Sequence, residues 1–380
     1  MNSLFAYRRS RPAFLILFVT LAALIPFAAD AYGPIGHQTV GAIADKKLAG
    51  TPAGRKITLL LDGFTLEKAS VIPDEIKGWD KKGADDPTIF HYTSRPRIDA
   101  QLRDFWKANP PTYDLNSPRP NHHWFHYTDV PVIRPQKYAD GKAGRSKWDI
   151  VHAMKYCIEV LQGTQPDDNE RNVTKPIAII LLAHFVGDIH QPLHVGAQFF
   201  DEKGQPVDPE KGGTAYEDQG GNTILFRHSP DAAQQTGHNR SRLHGFWDNH
   251  AVMAHLPKLP VEMPKEERRS RNDAAKDELV AKLTNAEPKN WKMDSKTEPR
   301  DYPEAWANEI LPVAREAHDR LIFSKVAPKQ EEHGIVAAGE AEERPNADGV
   351  SYLDWTKGIV HDHLHKAGWR LADLLEKAVR

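Results

Sequence analysis

Residues 175–196, KPIAIILLAHFVGDIHQPLHVG, constrain this chain more than any other stretch. The segment reads as a helix entered at Pro176, whose missing N–H costs nothing in a first turn, and ended before Pro192, which cannot continue one. Apolar but for His184, the ten residues from Ile177 to Val186 are too few to span a bilayer, so they predict a helix through a soluble core. On that helix His184 and Asp188 stand four apart, on one face and one turn apart. An imidazole and a carboxylate buried side by side need compensation, either from each other or from a divalent cation. His194 follows just past the break at Pro192, where the chain can turn it back toward the same point.

A chain of 380 residues with 40% hydrophobic content can bury a sizeable core in one large domain or two, and 28 Pro with 25 Gly imply long loops. We expect a mostly α fold: a single large helical domain over residues 32–380, with a short β-hairpin near Asn222–Phe226. Residues 1–31 have the parts of a secretory signal: Arg8, Arg9 and Arg11, an apolar run from Phe14 to Ile25, then Ala29-Asp30-Ala31. Cleavage after Ala31 would make Tyr32 the first residue; an uncleaved anchor is the alternative. The formal net charge is −2, and −4 without residues 1–31, so the chain lacks the basic excess of a non-specific duplex binder. Any nucleic acid would have to be held at a local site where cations supply the positive charge. Cys157 is the only cysteine, which excludes an intramolecular disulfide and thiolate metal sites. An exported, cysteine-poor chain suggests a bacterial periplasmic or secreted protein, with no stable membrane association after cleavage and no obligate protein partner.

Along the chain, 19 His cluster with aromatic and acidic neighbours. Tyr32-Gly33-Pro34-Ile35-Gly36-His37 opens the processed chain, where a free α-amino group beside a carbonyl can chelate a metal and His37 can close the site. Asp74 and Lys77 stand one turn apart at a helix start, as ligand and anion-binding cation, or as a carboxylate stabilised by the helix dipole. The run Asn121-His122-His123-Trp124-Phe125-His126-Tyr127-Thr128-Asp129 packs three His and three aromatics into six positions; spacing alone leaves open which His binds, and His91 is a further candidate. The Gly220-Gly221-Asn222 turn allows close backbone approach and an amide for an oxyanion, or is a plain turn into a strand. His244 and Asp248 repeat the four-residue His/Asp spacing, and two such pairs are harder to dismiss than one. His361, His363 and His365 on a C-terminal helix are read as mostly solvated. Segments 80–120, 256–300 and 325–350, rich in charge, Pro, Ala or Gly, read as insertions or loops, the first with a short helix around Ala100–Lys107.

Taken together these pieces resemble the S-one/P-one type of zinc-dependent nuclease, in the superfamily shared with zinc phospholipase C. The resemblance runs in order through Tyr32–His37, Asp74–Lys77, His126–Asp129, His184–His194, Gly220–Asn222 and His244–Asp248, and HFVGDIHQPLH and LHGFWD are its specific parts. It implies the fold of that type and three Zn²⁺ ions. One would take Asp74, His126, His184 and Asp188; a second the Tyr32 α-amino nitrogen and carbonyl, His37 and the other oxygen of Asp188; a third His194, His244 and Asp248. Lys77 and Asn222 would donate to phosphoryl oxygens, and Tyr127 and Asp129 would stack on and bond a base. Nitrogen and oxygen ligands with open positions suit zinc. The chain departs from the family in having Tyr rather than Trp at position 32, a wider Asp74–His126 spacing, and no disulfide.

The resemblance implies an exported hydrolase cutting single-stranded DNA or RNA to 5′-phosphate products, with 3′-nucleotidase activity an added expectation. The alternatives are a zinc phospholipase C-like hydrolase and a non-catalytic periplasmic zinc-binding protein. Lys77 and Asn222 argue against storage, and Asp129 after Tyr127 favours a nucleobase over a lipid.

Overall fold

The structure, a computed structural model, describes residues 32–110, 121–260, 262–331, 334–345 and 347–379, so the signal expected over residues 1–31 lies outside it. Helices Gly33–Leu48 (α1), Pro96–Ala108 (α2), Ile150–Gln162 (α3), Lys175–Ile189 (α4), Lys265–Asn285 (α5), Tyr302–Asp319 (α6) and Tyr352–Ala378 (α7) carry a mostly α fold, as expected. Thr174 caps α4 by accepting the Ile177 N–H, and every residue from Pro176 to Ile189 is buried. A helix apolar all round can satisfy itself only in this way. Helices α1, α3, α6 and α7 pack around it, and the core they share includes Val40, Met154, Ile310 and Leu371. Cys157 is buried in the same core. Among the described residues no helix is long and apolar enough to cross a membrane.

Strands Ile224–Arg227 (β1), Arg240–Arg242 (β2), Leu321–Glu331 (β3) and Gly334–Glu343 (β4) form a sheet in the order β2-β1-β4-β3. Strand β1 lies where a short strand was expected. It runs parallel to β4, with Ile224 opposite Gly339, while β3 and β4 form an antiparallel hairpin.

Two of the segment readings are corrected by the structure. The segment read as a loop at 256–300 contains α5, a 21-residue helix whose buried side chains are only Lys276, Val280 and Leu283. Val280 and Leu283 cluster with Ala42 and Ile43 of α1, so a narrow apolar stripe holds a helix that is otherwise charged. The segment read as a loop at 325–350 holds most of the β3–β4 hairpin, whose small Ala and Gly residues gain their order from pairing with β1. Within 80–120, α2 over Pro96–Ala108 covers the short helix expected around Ala100–Lys107, with Ile98, Leu102 and Phe105 inward, and residues 111–120 lie outside the described set.

Candidate metal centre

Six short stretches deliver the candidate ligands to the C-terminal half of α4. Tyr32 precedes α1 in a left-handed conformation, φ 33°, and is wholly buried; its N–H donates to Asp248 Oδ1 at 3.1 Å and its hydroxyl to the His190 carbonyl at 2.8 Å. His37 follows on α1. Asp74 lies in the single turn Ile72–Glu75 and Lys77 in the 3-10 helix Ile76–Lys81 behind it. A second 3-10 helix, His122–His126, ends on His126, and Pro192–His194 ends on His194. His244 and Asp248 lie in a helical stretch that turns π-helical over Phe246–His250.

These side chains converge. His126, His184 and Asp188 form one group of close ligand atoms, His37, Asp74 and His184 a second, and His194, His244 and Asp248 a third. Asp188 faces two ways: its Oδ2 lies 3.0 Å from His126 Nδ1 and 3.2 Å from His184 Nε2, while its Oδ1 lies 3.2 Å from His37 Nε2. Asp74 Oδ1 is 3.6 Å from His184 Nε2 and 2.6 Å from Lys77 Nζ. Gly187 lets α1 and α4 approach at this point, since a Cβ there would lie 2.8 Å from His37 Nδ1.

The hydrogen bonds show which ring nitrogens are left as lone pairs. His194 Nδ1 donates to the His126 carbonyl at 2.7 Å, and His244 Nδ1 donates to the Gly220 carbonyl at 2.8 Å. Each Nε2 is then a lone pair, yet the two Nε2 atoms face one another at 2.9 Å. Two lone pairs so placed repel unless a cation lies between them. His184 repeats the pattern: its Nδ1 donates to the Ser70 carbonyl at 2.6 Å, which turns the Nε2 lone pair toward His126 Nδ1 at 3.0 Å. Both ring nitrogens of His37 and the Oδ1 of Asp188 are buried without any hydrogen bond. Orphaned buried donors and acceptors of this kind are costly, and nitrogen and oxygen donors whose rings are held from behind by backbone carbonyls fit a divalent cation of the zinc type.

The electrostatics agree. Burial pushes His37, His126, His194 and His244 down, His244 to about 3, so these rings are neutral and available as ligands. His184 is the exception: burial lowers it, but Asp188 and Asp74 outweigh this and raise it. Burial would raise Asp74 and Asp188, yet Lys77 and His184 hold Asp74 well below the carboxylate range, and His184 and His194 do the same for Asp188. Both carboxylates are therefore ionised at neutral pH.

A family model described as S1/P1 Nuclease matches residues 32–380. The chain belongs to the S1/P1 nuclease family. Three Arabidopsis thaliana proteins are similar to it. Endonuclease 1 is 29% identical over 211 residues, 50% of this chain and 56% of that protein. Endonuclease 4 is 27% identical over 147 residues, 36% of this chain and 40% of that protein. Endonuclease 5 is 29% identical over 103 residues, 27% and 26% of the two chains. The chain thus spans between a quarter and just over half the length of these S1/P1 relatives.

The structure brings together His37, Asp74, Lys77, His126, His184, Asp188, His194, His244 and Asp248, with the Tyr32 backbone against Asp248. His91 is elsewhere, its Nε2 2.8 Å from the Asp86 carbonyl. Tyr127 is half-buried and Asp129 buried; they flank Thr128, whose N–H donates to the His194 carbonyl at 2.9 Å. Burial and the nearby Glu217 and Asp218 push the Asp129 carboxyl well up. Asn222 is not among the ligand groups: its amide donates to the Gln219 carbonyl at 3.1 Å, in the turn whose Gly220 anchors His244. Gln191, unremarked in the sequence, orients Asp248 by donating to its Oδ1 at 2.9 Å. It stood inside the HFVGDIHQPLH motif, but no spacing distinguishes a carboxylate-orienting amide from a capping one. His363, expected in solvent, is buried and donates to the His190 carbonyl at 2.6 Å; His365 is buried against the Ala286 carbonyl at 2.7 Å.

Proposed function

We propose that this chain is a zinc-dependent phosphodiesterase that hydrolyses single-stranded DNA or RNA to 5′-phosphate products, with 3′-nucleotidase activity on the same site, after export and processing to Tyr32. The observation that carries the reading is the facing of buried imidazole lone pairs around Asp188 and between His194 and His244, within a chain of the S1/P1 family. Asp74, His126, His184 and Asp188 would hold one Zn²⁺, the freed Tyr32 amino end with His37 and Asp188 a second, and His194, His244 and Asp248 a third. Bound there, the ions supply Lewis acidity and a nucleophilic water at neutral pH.

The remaining work falls to the chain. Asp188 offers one oxygen to each of two neighbouring groups, a task an amide or an imidazole cannot perform. Lys77, on the rim of the Asp74 carboxylate, places a positive charge where a phosphoryl oxygen would arrive. Asn222 would reach a non-bridging oxygen by giving up its bond to Gln219. Tyr127 offers a face for a base, which suits single strands because every base has a π face. Asp129, whose carboxyl is pushed up by burial and by Glu217 and Asp218, would meet the base edge.

Zinc-loaded protein processed to Tyr32, assayed against single-stranded DNA, RNA, a 3′-nucleotide and a phosphatidylcholine analogue, tests this. Cleavage of the nucleic acids, abolished by a chelator, is expected. Hydrolysis of the lipid alone would replace the reading with a phospholipase C-like one, and zinc binding without turnover on any substrate would replace it with a zinc-binding protein.

A further inference from the structure

Two of the three His in the 122–126 run are not used by the centre described above. His122 and His123 instead face Asp80, and the three supply ligand atoms all within 4.8 Å of one another. His123 Nε2 lies 2.8 Å from Asp80 Oδ2, yet neither atom makes a hydrogen bond. His122 is 1% exposed, and its Nε2, 3.9 Å from Asp80 Oδ1, has no hydrogen-bond partner either. A buried imidazole nitrogen left unpaired beside a carboxylate is costly, and three donors aimed at a common point without bonding one another is how metal ligands stand when the ion is left out. The surroundings fix them in that attitude. Trp106 Nε1 donates to Asp80 Oδ1 at 2.7 Å, which leaves Oδ2 for a ligand, and the His123 backbone N–H donates to Asn121 Oδ1 at 2.9 Å, which holds the start of the 3-10 helix His122–His126 in place.

We propose that Asp80, His122 and His123 form a further transition-metal site, separate from the Asp188 and His194 groups, that binds Zn²⁺. Two imidazoles and one carboxylate match zinc rather than calcium or magnesium, which prefer oxygen donors throughout. The site's place in the fold gives it a role. Asp80 sits on the 3-10 helix Ile76–Lys81 that carries Lys77, and His122 and His123 begin the 3-10 helix that ends on His126. An ion here clips together two short helices that each deliver a residue to the main centre. Helices of six and five residues are too short to hold their positions by backbone bonding alone.

The test is metal stoichiometry, which does not depend on turnover. The protein processed to Tyr32 is stripped with a chelator, reloaded with excess Zn²⁺, desalted and measured for zinc per chain by plasma mass spectrometry, alongside Asp80→Asn and His123→Ala. Asp80→Asn retains the acceptor for Trp106, and His123 is partly exposed, so both variants should keep the wild-type circular dichroism spectrum. Each is expected to hold one zinc fewer than wild type, and Co²⁺-loaded samples to lose a corresponding share of visible absorption. The rise in Tm that Zn²⁺ gives wild type should shrink in both. Equal zinc in all three proteins would overturn the proposal. So would a loss of more than one ion in both variants, which would place these residues in the support of the main centre instead.

Discussion

The ligand cluster on α4 and the β3–β4 hairpin both carry charges, and they manage them in opposite ways. Around α4 the titratable groups have no water: His37, His184 and Asp188 are each 0% exposed, and each depends on another protein group or a cation. On the hairpin, Lys325 pairs with Glu340 at 3.0 Å, but its side chain is 70% exposed and water can replace its partner. The same pair of opposite charges is therefore indispensable in one place and nearly idle in the other. It follows that substitutions of similar chemical size should differ in effect by orders of magnitude between the two regions.

The largest effect is expected at Asp188. Asp188→Asn keeps the shape but removes the charge that two groups share, and kcat/KM on single-stranded DNA should fall by about a thousandfold or more, with loss of bound zinc. A variant with full zinc and full activity would erase the contrast. Gly187→Ala should come next: with its Cβ 2.8 Å from His37 Nδ1, the ring or α1 must shift, at a stability cost of about 1–3 kcal/mol and with weaker metal binding. Thermal denaturation with and without chelator separates the two contributions.

Glu217 probes the border between the regimes. Burial and the Asp218 charge raise its carboxyl from 4.5 to about 7. The folded state therefore holds a proton that the unfolded chain has already lost, and this acid's favourable contribution disappears as pH rises from about 4.5 through 7. Glu217→Gln has no charge to bury, so its stability relative to wild type should improve by about 1–2 kcal/mol between pH 5 and pH 8. Denaturant melts at the two pH values measure this, and an unchanged difference would mean that Glu217 is solvated. The smallest effect belongs to Lys325→Gln, which should move Tm by less than about 1 °C and leave activity unaltered.

What could be read from the sequence divides along the same line. Helix α4 was legible because a run of apolar residues between Thr174 and Pro192 has no other way to satisfy itself. The pairing of His184 with Asp188 was legible because an imidazole and a carboxylate at four-residue spacing in such a run are expensive without a reason. Helix α5 was not, because three inward side chains in 21 residues leave almost no periodic signal. The hairpin was hidden for a related reason: its Ala and Gly residues have weak strand preference, and the partner that orders them, β1, is about a hundred positions away in the chain. His363 and His365 misled because a histidine on a helix gives no sign of facing a carbonyl from a distant loop. The π-helical turn that carries Asp248 likewise has no spacing of its own to announce it.

Diffraction from crystals of the zinc-loaded protein processed to Tyr32, recorded on both sides of the zinc absorption edge, tests the central claim most directly. The account predicts anomalous peaks on either side of Asp188, bounded by His37 and by Asp74, His126 and His184, and a peak between the facing Nε2 atoms of His194 and His244. Crystals of active enzyme with no anomalous density at these positions would contradict it.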